Sequence, residues 1–159
     1  MMRIIVVRHG HAEAKKGWRG PDADRPLVAR GRRQADRLGK VIGAGRPTRM
    51  ISSPALRCVQ TAQPFAERRN LPVELSGHLA RDAGEAAVEL CRQLLLSETD
   101  DSTVVLCTHR EVIIELLPQL SKEFARKLGH RPPGAKGGAW ILRFRAGKLE
   151  KVDYHPPAT

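Results

Sequence analysis

Residues 3–10 read Arg-Ile-Ile-Val-Val-Arg-His-Gly. Ile4 to Val7 are four β-branched residues in a row with charge on either side. Such a run suits a short strand covered on both faces, and strands of that kind belong to parallel sheets. The apolar run stops abruptly at Arg8-His9-Gly10, so a cation, an imidazole and a small residue stand where the strand ends.

The same pattern recurs downstream. Arg49 to Ser52 predicts a second strand, Pro72 to Leu75 a third, and Thr103 to Cys107 another fully buried one. Helical spacing fills the intervals. Residues 30–44 place Ala35, Leu38, Val41 and Ile42 on one face. Ser53-Pro54 has the form of a helix start, with Ser as the cap and Pro at the first helical position, and that helix should run to about Asn70. Glu85 to Ser97 predicts another helix, and Thr108-His109-Arg110-Glu111 has the form of a capping box opening one more. Gly17 to Pro26, Ser76 to Gly84 and Arg131 to Gly138 read as loops. Ala139 to Arg145 and Lys148 to Tyr154 flank Ala146-Gly147 and predict a terminal hairpin. The expected fold is α/β: a three-layer αβα sandwich, mostly parallel, with an antiparallel C-terminal hairpin at its edge.

The chain has 159 residues, 41% of them apolar, which argues for a single domain spanning 1–159 with a real core. Aromatics are only 4%, so that core must be mostly aliphatic. Lys plus Arg outnumber Asp plus Glu by 28 to 17, a net charge of +11 that favours anionic partners or is simply background. No apolar run is long enough to span a bilayer, and the N-terminus lacks a signal-peptide core, so a cytoplasmic location and no membrane partner are expected. Cys58, Cys91 and Cys107 lie among apolar neighbours with no C-x-x-C and read as buried thiols, not a disulfide framework or zinc site.

In open α/β sheets ligands bind at the carboxyl ends of the strands. If these strands are parallel, Arg8, His9, Arg57 and His109 converge there, with two helix N-termini aimed at the same place. Arginines grip phosphoryl oxygens by paired hydrogen bonds and stay charged. An imidazole whose other nitrogen is fixed is nucleophilic at neutral pH. Gly10 allows close backbone approach and unusual dihedrals beside it. The chemistry expected is phosphoryl transfer through a phosphohistidine on His9, with Arg8, Arg57 and a protonated His109 neutralising charge, and with no metal or other cofactor required.

Arg8-His9-Gly10, Ser52-Ser53-Pro54 with Arg57, Gln60-Thr61-Ala62, Thr108-His109, and Arg25-Pro26-Leu27 with Gly31 and Gln34-Ala35 resemble the histidine phosphatase superfamily, the phosphoglycerate mutase-like proteins. The size is similar to its small phosphohistidine phosphatase branch. Lys15 to Gly20 and Thr108 to Val112 also resemble the histidine-phosphatase domain attached to MutT-type Nudix proteins, which act on nucleotides. The resemblance implies His9 as nucleophile and Arg8, Arg57 and His109 as the phosphate pocket. It also implies a Glu proton donor two residues beyond a Leu. With Leu79 as that Leu, the position holds Arg81; Asp82 follows, and Glu85 lies a turn further on. The donor is therefore Asp82, Glu85 or absent.

An alkoxide, with a conjugate acid near ~16, needs such an acid. An imidazole, near ~6.5, needs much less help. The departure favours P–N or phosphoanhydride bonds over sugar phosphates and argues against a mutase. Protein phosphohistidine is the first substrate expected, nucleotide polyphosphates the alternative, and a catalytically weak phospho-ligand binder the third reading. Partners are thus a phosphorylated protein or a small phosphorylated molecule. Lys15 and Arg19, after the nucleophile, are candidate substrate contacts. Asp82 reads as well as a solvated loop acid. His9-x-His11 lacks the further ligands a metal pair needs. Arg30, Arg32, Arg33 and Arg37 read as a solvated helix face, and with no aromatics interleaved for stacking a nucleic-acid partner is not expected. His78, His130 and His155 read as surface residues.

Overall fold

A computed structural model describes residues 1–43, 45–120 and 134–158. The expected loop at 131–133 and the reading of His130 as a surface residue lie outside them. Six strands form one sheet: β1 (Met2–Arg8), β2 (Arg49–Ser52), β3 (Val73–Leu75), β4 (Thr103–Thr108), β5 (Ala139–Arg145) and β6 (Lys148–His155). Their order is β3-β2-β4-β1-β5-β6. The first four are mutually parallel. β5 runs antiparallel to β1, and β6 antiparallel to β5, so the hairpin closes one edge.

Strand period two distributes the core between two faces. Ile4 and Val6 pack with α4 (Ala86–Ser97) and α5 (Arg110–Leu120) on one side. Ile5 and Val7 pack on the other, against α2 (Leu38–Ile42) and α3 (Leu56–Glu67). α1 (Ala29–Asp36) precedes α2. The result is the expected three-layer sandwich. All three cysteines are buried and free. No helix among the described residues is long and apolar enough to cross a membrane.

Three local expectations are corrected. The helix over 30–44 is two pieces, broken at Arg37, which is at once the C-cap of α1 and the N-cap of α2. Ser53 does not cap α3. That helix begins at Leu56 after Ala55, because the Ser53 hydroxyl pairs with His109 and makes only a 3.3 Å contact with the Ala55 N–H. Thr108 does not form a capping box; its hydroxyl donates to the Leu79 carbonyl at 2.7 Å, tying β4 to the loop after β3. α5 springs instead from His109, whose carbonyl accepts from the Val112 and Ile113 N–H groups.

Chain order determines where a crevice opens. The chain passes from β1 to β2 and β3, then returns to insert β4 between β2 and β1, and finally crosses to β5. The connections leave β1 and β4 in opposite directions, and ligand crevices form at such points.

Candidate active site

In the parallel register of β1 and β4, Arg8 lies opposite Thr108. The next residue on each strand is a histidine, so His9 and His109 leave the sheet side by side. Their rings meet edge-on at 5.3 Å between centroids. The His9 N–H donates to the Thr108 carbonyl at 3.1 Å, which seals the two strand ends together.

His9 Nδ1 lies 2.8 Å from the Gly10 carbonyl. A carbonyl only accepts, so Nδ1 carries the proton and Nε2 keeps its lone pair. Desolvation pushes the His9 pKa down to about 3, opposed by the Gly10 hydrogen bond and reinforced by the charges of His109, Arg57 and Arg8. The ring is therefore neutral at pH 7, with Nε2 as the nucleophilic atom.

Gly10 is held on all sides. Its N–H donates to Thr61 Oγ1 at 3.0 Å. A Cβ there would lie 3.0 Å from the Gly31 carbonyl oxygen. Gly10 has no left-handed backbone, so the expected role narrows to close approach alone. Its N–H is engaged by Thr61, which holds the turn beside His9. His11 is anchored beside it, with Gln34 Oε1 accepting from its N–H at 2.9 Å and lying 3.0 Å from Nδ1.

Arg57 stands on the first turn of α3 and is 1% exposed. Its terminal nitrogens donate to the Asp22 carbonyl at 2.8 Å and carboxylate at 2.9 Å. A further contact of 3.3 Å runs to His109 Nδ1. His109 Nε2 lies 2.8 Å from Ser53 Oγ. Arg8 donates to the Gly134 carbonyl. Among the described residues, Arg8 Nε and Arg57 Nε are buried without a hydrogen-bond partner. Unpaired buried donors are costly, and an anionic oxygen is the group that would satisfy them.

Asp22 is the central residue that sequence reading missed. Its carboxylate takes Arg57, Arg25 at 3.0 Å and Arg81 at 3.4 Å. Burial alone would raise its pKa, but the Arg57 and Arg25 hydrogen bonds and charges outweigh it and hold the group down at about 2. Asp22 is an internal anion paired with the buried Arg57 guanidinium. The i,i+3 spacing of Asp22 and Arg25 was the available signal. Ser53 was also missed as the partner of His109, because its place after a strand reads first as a helix cap.

Two cavities meet here. The smaller, about 250 Å³, is lined by Arg8, His9, Lys15, Arg25 and Lys136. The larger, about 520 Å³, has Ala23, Pro54, Ala55 and Ala80 in its walls. Arg57, Arg81, His109 and Glu111 line both. Lys15 therefore reaches the chamber of His9, while Arg19 is exposed and lines neither cavity. Asp82 is exposed and lines the larger cavity but not the chamber of His9. Glu85 is exposed and lines neither. His78 is exposed as expected, but His155 is half-buried with its Nδ1 2.6 Å from the Val41 carbonyl.

Comparison with known proteins agrees with this geometry. A curated relative from Mycolicibacterium smegmatis, named 8-oxo-(d)GTP phosphatase, is 32% identical over 158 residues, 97% of this chain and 48% of its own. The chain thus spans about half the length of that relative. A solved mycobacterial glucosyl-3-phosphoglycerate phosphatase with VO3 superposes with a TM-score of 0.78 at 22% identity, covering 98% of this chain and 99% of that one. The protein histidine phosphatase SixA with tungstate superposes at 0.76 and 20% identity, covering 98% and 97%. The family model for the histidine phosphatase superfamily (branch 1) matches residues 4–87. With the paired histidines, the buried arginine and that match together, the chain belongs to the histidine phosphatase superfamily.

Proposed function

We propose that this chain removes a terminal phosphoryl group from a nucleoside polyphosphate through a covalent phosphohistidine on His9, without a metal ion. The observation that carries this reading is the larger cavity, about 520 Å³, which opens directly from the chamber of His9. Its volume falls in the range that holds small-molecule ligands, and its alanine and proline walls suit an apolar body such as a base and sugar. The curated relative named for a nucleotide substrate supports the same choice.

The His9 Nε2 lone pair attacks the terminal phosphorus. The N–P bond forms as the bond to the bridging oxygen breaks, and that oxygen leaves with its electron pair. Arg8, Arg57 and His109 surround the equatorial oxygens and stabilise their charge, work that a metal ion does elsewhere. The departing oxygen belongs to a phosphate, whose second pKa is about 6, so it leaves without a strong acid. Water then attacks the phosphohistidine, the N–P bond breaks, phosphate departs and Nε2 recovers its lone pair. Arg81 where the resemblance implies an acid fits this course.

The sequence by itself favoured phosphohistidine on a protein. That second reading keeps one supporting observation: exposed Lys15 on the rim of the His9 chamber suits an acidic protein surface. Phosphate release in EDTA from GDP, GTP and a phosphohistidine protein tests both, with His9→Ala alongside. His9-dependent release from the nucleotides, with acid-labile, base-stable labelling of the enzyme, is the expected result. Release from the phosphohistidine protein alone reverses the order. Binding with no turnover on any of the three overturns both readings in favour of a phospho-ligand binder.

A further inference from the structure

Arg81 occupies an unusual place among the site's cations. It lines both cavities, and it is the one arginine in the loop after β3 to do so. Its position is set from below. Leu79 is fully buried, and its carbonyl is pinned by the Thr108 hydroxyl on the strand that carries His109. Two residues on, Arg81 is half-buried at the junction between the chamber of His9 and the chamber with apolar walls.

Its present partners are loose. The guanidinium lies 3.4 Å from Asp22 Oδ1 and 3.6 Å from Glu111 Oε1, both longer than a good charged hydrogen bond. Arg57, by contrast, holds Asp22 at 2.9 Å and is fully buried. Arg57 thus has both terminal nitrogens tied to Asp22 and, among the described residues, only its Nε unpaired, whereas Arg81 has a guanidinium fork to offer something adjacent. In the course proposed above, the group next to the transferring phosphoryl is the first group of the leaving molecule.

We infer that Arg81 is a specificity-determining residue that binds the phosphate left behind on the leaving group, so the site selects phosphoanhydrides over phosphate esters of uncharged alcohols. This rests on the nucleotide reading above and sharpens it. An arginine there does two things. It attracts a leaving group that already carries negative charge, and it stabilises the charge that grows on the bridging oxygen as the P–O bond breaks. It cannot donate a proton to an alkoxide, because a guanidinium does not deprotonate in this range. The same side chain thus favours one leaving-group class and fails the other.

The test compares GDP, inorganic pyrophosphate and p-nitrophenyl phosphate in wild type, Arg81→Met and Arg81→Lys. Pyrophosphate has a leaving group that is charged before the bond breaks and no nucleoside; p-nitrophenyl phosphate also lacks a nucleoside, and its leaving group becomes charged only as the bond breaks. Arg81→Met should lower kcat/KM for GDP and pyrophosphate by about 10- to 100-fold, through both KM and kcat, against a much smaller loss on p-nitrophenyl phosphate. Arg81→Lys should restore part of the difference. An equal loss on all three substrates, or none on the phosphoanhydrides, overturns the inference. A wild type that cleaves pyrophosphate but not GDP defeats the nucleoside reading alone, and the role of Arg81 is then read from the ratio of pyrophosphate to p-nitrophenyl phosphate. A wild type that cleaves neither phosphoanhydride defeats both.

Discussion

Thr61 Oγ1 accepts from the Gly10 N–H at 3.0 Å and donates to the Arg57 carbonyl at 2.7 Å. One buried hydroxyl therefore couples the turn that holds His9 to the helix turn that holds Arg57. Thr61→Val keeps the shape and removes the coupling. It leaves the buried Gly10 N–H without its acceptor, which should cost about 1–3 kcal/mol in denaturant unfolding. Because small misplacements of reacting groups are expensive, kcat should fall by roughly tenfold or more. Unchanged stability and kcat would show that the turn is held by other means.

Gly31 lies in α1, where alanine would normally help a helix by about 1 kcal/mol. Here a Cβ would stand 2.0 Å from the His11 carbonyl oxygen and 2.9 Å from its carbon. Backbone cannot yield cheaply, so overpacking outweighs propensity, and Gly31→Ala should lose about 1–3 kcal/mol together with activity. Gly39→Ala is the contrast: its Cβ would meet the far end of the Arg69 side chain at 3.2 Å, which can move. The denaturation midpoints of the two variants should shift unequally, Gly31→Ala far more. Equal midpoints refute the argument from close approach.

His9 should remain neutral far below the usual imidazole range. Its pKa in the folded chain is about 3, against about 6.5 unfolded. Between those values the unfolded chain binds more protons, so this group's contribution to stability rises with pH across the window and is lost on acidification. In NMR spectra of imidazole-labelled protein, the His9 signal, identified by its loss in His9→Gln, should not titrate between pH 8 and 5. A midpoint near 6.5 would contradict the desolvated, cation-flanked site.

Asp22→Asn removes the internal anion from Arg57 while leaving the carbonyl that also engages it. A unit charge about 8 Å from a bound anion, at an effective dielectric of about 40, is worth ~1 kcal/mol. Inhibition by inorganic phosphate should therefore tighten by roughly fivefold. Asp22 is held at about 2, below its usual value, so its own contribution to stability is present above pH 3.8 and is lost as pH falls through 2. The variant should lack that acid-limb loss. Weaker phosphate inhibition would show that the carboxylate orients Arg57 more than it competes.

β1, β2 and β4 were legible because each is a short apolar run ended by a polar residue. β2 and β5 fall at the residues expected, and β1 and β4 differ only at their ends. Helix starts were less legible. Ser53 and Thr108 both have cap-like positions, and in both the hydroxyl is taken by a residue distant in sequence, His109 and Leu79. A local rule cannot anticipate a competitor supplied by another strand. The break at Arg37 was hidden for a similar reason, since the apolar spacing runs through it unbroken.

What the sequence determined by itself is the set of parts: buried strands that lead into Arg8-His9 and His109, and an arginine, Arg57, on the first turn of the helix after β2. Strand period, helix period and the chemistry of guanidinium and imidazole are local properties, readable one segment at a time. What only the tertiary structure decided is which parts touch. Asp22 on Arg57, Ser53 on His109, Thr61 between Gly10 and Arg57, and Arg81 at the junction of two cavities all join segments separated along the chain. The insertion of β4 between β2 and β1 brings those segments together, and strand order is a global packing solution that no single segment encodes.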